Sequence, residues 1–120
     1  MKKKILIIDD EPDILKVMTF RLENLGYEVI TAATGIEALD LIQKAAPDMI
    51  FLDLHMTGMD GPEIYKRLKS NERSKQIPLI LLTADITASN SGRMNRLTAD
   101  DVLLKPFEPE ELLKKVRKFL

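Results

Sequence analysis

The chain contains no cysteine, and His55 is the only histidine among its 120 residues. The first absence excludes disulfides and thiolate metal sites and fits a reducing compartment; the second leaves no histidine pair for zinc. Long apolar runs are missing as well. The basic start Lys2-Lys3-Lys4 mimics the opening of a secretory signal, but the run behind it, Ile5 to Ile8, stops at Asp9. A signal needs roughly 7–15 apolar residues there, and nothing later approaches the ~18 that span a bilayer. Neither sign of charge is in excess: 18 Lys plus Arg against 19 Asp plus Glu give a formal net charge of −1. That balance offers no electrostatic basis for binding nucleic acid or an anionic membrane. With no repeats, low-complexity tracts or internal linkers, the expectation is one cytoplasmic domain over residues 1–120, without direct nucleic-acid or membrane contact.

What the chain does have is a series of short apolar runs that end abruptly in polar residues. Met49-Ile50-Phe51-Leu52 is too short for a helix, fits a strand buried on both faces, and stops at Asp53. Ile5 to Ile8 likewise stops at Asp9-Asp10, Pro78 to Leu82 at Thr83, and Val102-Leu103-Leu104 leads into Lys105. Tyr27 to Thr31, interrupted by Glu28, reads as a half-exposed edge strand.

Helical patterns separate these runs. Pro12 opens the first, with Glu11 as a cap, an apolar stripe of Ile14, Val17, Met18, Leu22 and Leu25, and Gly26 as terminator. Thr34 to Glu37 matches a capping box and starts a second helix with Leu39, Ile42 and Ala46 inward and Pro47 closing it. A third runs from about Pro62 to Lys69, with Ile64 and Leu68 one turn apart. The fourth, Asp85 to Leu97, is a poor helix former with Gly92 inside, and is expected to be short or frayed. The final helix starts near Pro109 with Leu112, Val116 and Phe119 inward. Glu108, Glu110 and Glu111 near its start and Lys114, Lys115, Arg117 and Lys118 near its end complement its dipole and read as a solvated face.

Five strands alternating with five helices imply an α/β fold: a (βα)5 doubly wound, five-stranded parallel sheet covered on both faces. The weakly apolar second strand belongs at an edge, which favours the flavodoxin-like order 2-1-3-4-5. Winding then reverses between strands 1 and 3, and ligand sites lie at such reversals, beyond the carboxyl ends of the strands. The topology brings Asp9, Asp10 and Asp53 to that crevice, with Thr83 and Lys105 beside them. Three carboxylates and one ammonium leave a local charge of about −2, which a divalent cation would neutralise. All-oxygen ligands favour Mg²⁺ or a similar hard ion such as Mn²⁺. A hydroxyl and a lysine alongside would serve the oxygens of a transferred phosphoryl group, with Asp53 as nucleophile forming an aspartyl phosphate.

Over essentially its whole length the chain resembles the receiver domain of two-component response regulators. The resemblance is carried by IIDDE at Ile7 to Glu11, FLDLHMTGMDG at Phe51 to Gly61, LLTA at Leu81 to Ala84 and DDVLLKPF at Asp100 to Phe107. It implies that Asp53 is the phosphoacceptor. Asp10 and Asp53 would bind the metal directly, Asp9 through water, and the His55 backbone carbonyl would complete the protein ligands. Thr83, Lys105 and the Ala84 backbone amide would hold the phosphoryl oxygens, and the Lys105–Pro106 bond would be cis. The implied donor is a phosphohistidine on a sensor histidine kinase or phosphotransfer protein. The implied readout is the face made by the fourth helix, fifth strand and final helix, and the implied catalysis is limited to the domain's own phosphorylation and dephosphorylation.

Departures from the family pattern lie away from those residues. Val102 stands where an aromatic is common, Thr98 replaces a frequent glycine and Thr57 a frequent proline. Val102 and the unusually polar fourth helix motivate an alternative: a receiver-fold interaction module that has lost the switch. A phosphatase acting on external esters would want a second acid where His55 stands. A flavin protein is disfavoured because Asp9-Asp10-Glu11 would repel a cofactor phosphate. The His55 side chain is expected in solvent, Met56 and Met59 in loop packing. No effector segment follows Leu120 in this sequence, so a stand-alone receiver and a piece of a longer protein are both open.

Overall fold

In a computed structural model that describes residues 2–56, 61–84 and 99–120, five strands form one parallel sheet in the order β2-β1-β3-β4-β5. The strands are β1 (Lys4–Ile8), β2 (Glu28–Ala32), β3 (Met49–Asp53), β4 (Leu79–Thr83) and β5 (Asp101–Leu104). The helices between and after them are α1 (Pro12–Glu23), α2 (Gly35–Ala45), α3 (Gly61–Ser70) and the final helix, α4 (Pro109–Phe119). The expected helix over Asp85 to Leu97, together with Thr57, Met59 and Thr98, lies outside the described residues.

Strand periodicity divides the core in two. Ile5, Ile7, Met49, Phe51, Ile80, Leu82 and Leu103 face one way and meet Met18 and Leu22 of α1 and Leu112 and Val116 of α4. Leu6, Ile8, Ile50, Leu52, Leu79 and Leu81 face the other and meet Ala38 and Ile42 of α2 and Ile64 and Leu68 of α3. The continuous apolar runs of β1, β3 and β4 follow from this double burial. β2, with Glu28 and Thr31 exposed, is the edge its sequence indicated. Among the described residues, no helix is long and apolar enough to cross a membrane.

Several local expectations are corrected. Val17 and Leu25 are not part of the buried stripe of α1: they are exposed, and only Met18 and Leu22 are fully covered. Gly26, with φ of 94°, turns the chain after α1 as expected. Ala46 is exposed rather than inward, because α2 ends at Ala45 and Ala46 swings to φ 48° before Pro47; a residue ahead of proline is sterically disfavoured from continuing the helix. Thr34 caps α2 by accepting the Glu37 N–H at 3.1 Å, while Glu37 accepts from Ala33 instead of closing the box on Thr34. In α4 Glu111 reaches back to accept the Glu108 N–H at 3.0 Å, while its own N–H donates to the Glu108 backbone carbonyl. Glutamate is an uncommon N-cap, so the pattern gave no signal. Met56 packs in the core and His55 is exposed.

Candidate functional site

Parallel strands that run the same way must end on the same side, and here they end in charge. Asp53 closes β3 and Thr83 closes β4, while Asp9 and Lys105 are the first residues beyond β1 and β5. Asp9 and Thr83 are completely buried and Asp53 nearly so. The backbone two residues on orients each buried carboxylate: Glu11 N–H donates to Asp9 Oδ1 at 2.9 Å, and His55 N–H donates to Asp53 Oδ1 at 3.0 Å. Such short Asx turns fix a side chain at the point where a strand becomes a loop.

α3 braces this exit. The Gly61 N–H donates to the Leu54 carbonyl at 3.2 Å, and the glycine lies so close that a Cβ there would fall 2.5 Å from Leu54 Cα and 2.8 Å from the Asp53 carbonyl oxygen. The need here is space for backbone approach.

Lys105 enters from the far side of the crevice. Its ammonium lies 2.7 Å from Asp9 Oδ2, 3.1 Å from Glu11 Oε1 and 3.4 Å from Asp53 Oδ2. The Lys105–Pro106 peptide bond is cis, as the resemblance implied. Asp10, half-buried, completes the acidic group: one carboxylate oxygen each from Asp9, Asp10 and Asp53 lie within 4.8 Å of one another. Thr83 sits at the adjoining strand end in register with Leu104, and Ala84 follows it, exposed.

Glu11 does something other than what its sequence position suggests. It occupies the N-cap position of α1 but makes no capping bond; its carboxylate turns to Lys105 instead. A glutamate directly after an Asp-Asp pair at a strand end was the available signal. Among the described residues, its presence makes the corner four carboxylates around one ammonium, a formal local charge of about −3 rather than −2.

These charges perturb one another. Burial raises the Asp53 pKa above the ordinary carboxylate value and the charge on Asp9 adds to the rise; the His55 N–H and Lys105 oppose them without cancelling it. Burial acts to lower the pKa of Lys105, but its bond to Asp9 and the charge of Asp53 prevail and raise it, so the ammonium is firmly charged. Among the described residues, the corner therefore holds more negative charge than Lys105 balances. A hard octahedral ion binds oxygens at about 2.1 Å and so sets neighbouring ligands roughly 3–4 Å apart. The three carboxylate oxygens, all within 4.8 Å of one another, are near that spacing, and an all-oxygen donor set fits Mg²⁺.

A doubly wound parallel sheet with its polar strand ends gathered at the winding reversal defines the open α/β class that binds ligands there. The family model for the response regulator receiver domain matches residues 5–117, and the chain belongs to that family. Among curated relatives, the alkaline phosphatase synthesis transcriptional regulatory protein PhoP of Bacillus subtilis is 38% identical over 120 residues, covering 100% of this chain and 49% of that protein. The chain thus spans about half the length of the curated relatives it matches. Among solved structures, the chemotaxis protein CheY4 of Vibrio cholerae superposes with a TM-score of 0.92 at 36% identity, covering 100% of both chains. The response regulator TrrA of Thermotoga maritima, solved in complex with Mg²⁺–BeF, superposes with a TM-score of 0.87 at 35% identity, covering 98% of this chain and 99% of that one.

Proposed function

We propose that residues 1–120 form one cytoplasmic receiver domain that accepts a phosphoryl group on Asp53 in a Mg²⁺-dependent reaction and signals by the resulting change of charge. The observation that carries this reading is the grouping of Asp9, Asp10 and Asp53 within 4.8 Å, with the Lys105 ammonium 3.4 Å from Asp53. That arrangement suits phosphoryl transfer, where catalysis is mostly positioning and charge stabilisation. The Mg²⁺–BeF complex of TrrA supports carrying the same chemistry over. The intact cluster also speaks against the switchless interaction module.

Asp10 and Asp53, Asp9 through water and the His55 carbonyl would hold the ion, Mg²⁺ or Mn²⁺; when bound it supplies charge neutralisation at the transferring group. The remaining roles belong to the chain. An Asp53 carboxylate oxygen attacks the phosphorus of a phosphohistidine on a sensor histidine kinase or phosphotransfer protein. The P–O bond to Asp53 forms as the P–N bond breaks, and the imidazole leaves with its electron pair. Thr83, the Ala84 amide and Lys105 receive the phosphoryl oxygens. The domain catalyses only this transfer and the later hydrolysis of its own acyl phosphate.

The product is a dianion beside Thr83, and the readout is the face that the resemblance assigns to the expected fourth helix, β5 and α4. Val102, half-buried against the core cluster of α2 and α3, fills space there rather than supplying an aromatic readout. With a net charge of −1, the receiver makes no direct contact with nucleic acid. The test is intact-mass analysis after incubation with Mg²⁺ and a small acyl phosphate: one phosphoryl adduct on the wild type and none on Asp53→Asn. An adduct retained by Asp53→Asn would remove the site assignment.

A further inference from the structure

The three N–H donors of the Lys105 ammonium meet three different carboxylates, and the three contacts are unequal. The contact to Asp9 is shortest at 2.7 Å, Glu11 follows at 3.1 Å, and the proposed acceptor, Asp53, is furthest at 3.4 Å. Burial divides them differently. The Asp9 and Asp53 side chains are almost entirely covered, whereas that of Glu11 is 58% exposed.

A lysine has no fourth donor; the donor on Asp53 passes to that residue's own phosphoryl group, and a second charge-assisted bond from Lys105 to that group requires that Asp9 or Glu11 give up its place. Releasing Asp9 would strand a buried, unpaired charge, which is costly. Releasing Glu11 costs little, because its carboxylate returns to water. Its neighbour in the first turn of α1 plays no such part: Asp13, also acidic and exposed, makes no contact with Lys105.

We propose that Glu11 is a positioning residue that occupies one donor of Lys105 in the resting domain and yields it to the incoming phosphoryl group. This inference rests on the phosphoacceptor reading above. In phosphorylation by an acyl phosphate, the P–O bond to the leaving acyl oxygen breaks as the P–O bond to Asp53 forms, and the donor departs as a carboxylate. Glu11 transfers nothing; it competes for the lysine and adds a negative charge that the dianionic donor must approach. It is therefore a brake on phosphorylation whose strength is that of one exposed ion pair.

The proposal predicts that Glu11→Gln is phosphorylated by acetyl phosphate, at saturating Mg²⁺, about two- to five-fold faster than wild type. Glu11→Asp keeps the charge but shortens the reach to Lys105, and is expected to be faster than wild type as well. Asp13→Asn removes a nearby charge without touching the lysine and is expected to match wild type. A readout independent of metal and reaction is the Lys105 ammonium signal in the ¹⁵N spectrum of the metal-free protein, which should move in Glu11→Gln and Glu11→Asp but not in Asp13→Asn.

Slower or unchanged phosphorylation of Glu11→Gln, with the wild type labelled normally, would overturn the brake and leave the phosphoacceptor reading standing. Equal acceleration in Asp13→Asn, or wild-type behaviour of Glu11→Asp, would reduce Glu11 to diffuse charge and also overturn it. An unlabelled wild type would remove both readings together.

Discussion

Gly61 offers a test in which two physical effects predict opposite signs. It is the first residue of α3, and replacing glycine with alanine in a helix normally gains up to ~1 kcal/mol from propensity, in part through lower entropy of the unfolded chain. Against this stands the approach of α3 to the exit of β3. A Cβ on Gly61 would lie 2.5 Å from Leu54 Cα and 2.8 Å from each of the Asp53 and Leu54 carbonyl oxygens. Ordinary carbon contacts begin at about 3.5 Å, so Leu54 Cα must part from the new methyl by about 1 Å and the two oxygens by roughly half an ångström or more. All three are backbone, so no rotamer change relieves the clash, and overpacking of this kind costs about 1–3 kcal/mol or more. The steric cost therefore outweighs the propensity gain, and Gly61→Ala is expected to be less stable than wild type by roughly 1–3 kcal/mol in urea denaturation.

The same displacement acts on the two residues that carry the carboxylate and its turn. Sites of this type tolerate about 0.5 Å of misplacement. Phosphorylation of Gly61→Ala by acetyl phosphate should therefore fall by at least about tenfold in molecules that remain folded. A variant more stable than wild type, and phosphorylated at the same rate, would refute the seating of α3 on the strand exit.

Two further perturbations follow from the charges. Asp53→Asn removes one of several crowded anions at nearly constant shape. In metal-free protein it should raise stability by on the order of 1 kcal/mol at neutral pH. Since burial raises the native pKa of Asp53, this gain should shrink in acid as the wild-type carboxyl protonates, and Mg²⁺ should stabilise wild type more than the variant in parallel urea titrations. Asp101 behaves in the opposite sense: although burial works to raise its pKa, the Val102 N–H, Lys115 and Lys118 together hold it below the ordinary carboxylate value of 3.8. A lowered native pKa gives stability that is present above the unfolded value and lost as pH falls through the native one. Asp101→Asn should cost about 1–2 kcal/mol at pH 7, and its difference from wild type should close only as acid unfolding is approached below pH ~4.

The backbone plan was legible because the signals for a buried parallel sheet are short-ranged. Four apolar runs, Ile5 to Ile8, Met49 to Leu52, Pro78 to Leu82 and Val102 to Leu104, each stop at a polar residue. Glu28 interrupting the fifth run is enough to place β2 at the edge and so determine the winding reversal. The positions of Asp9, Asp53, Thr83 and Lys105 at one sheet edge followed from that order alone. Side-chain partnership was not legible in the same way. Glu11 stands where an N-cap should, and only the path of Lys105, 94 residues later, makes it an ion-pair partner. Val17 and Leu25 satisfied the helical period yet lie outside the contact with the sheet, because periodicity gives a direction and not the width of the covered stripe. Asp101 gave no hint of its two lysine partners, since Lys115 and Lys118 reach it only once α4 packs beside β5.

Everything proposed for this protein depends on a corner that carries more negative charge than Lys105 can balance and that a hard divalent cation completes. The backbone amides of Glu11 and His55 are direct reporters, because each donates to a carboxylate of that corner, Asp9 and Asp53 respectively. In a ¹⁵N–¹H titration with MgCl₂, both resonances should shift together along a single saturating curve, and Asp53→Asn should weaken that curve by at least about tenfold. Amides that do not respond to millimolar Mg²⁺, or that respond identically in Asp53→Asn, would contradict it.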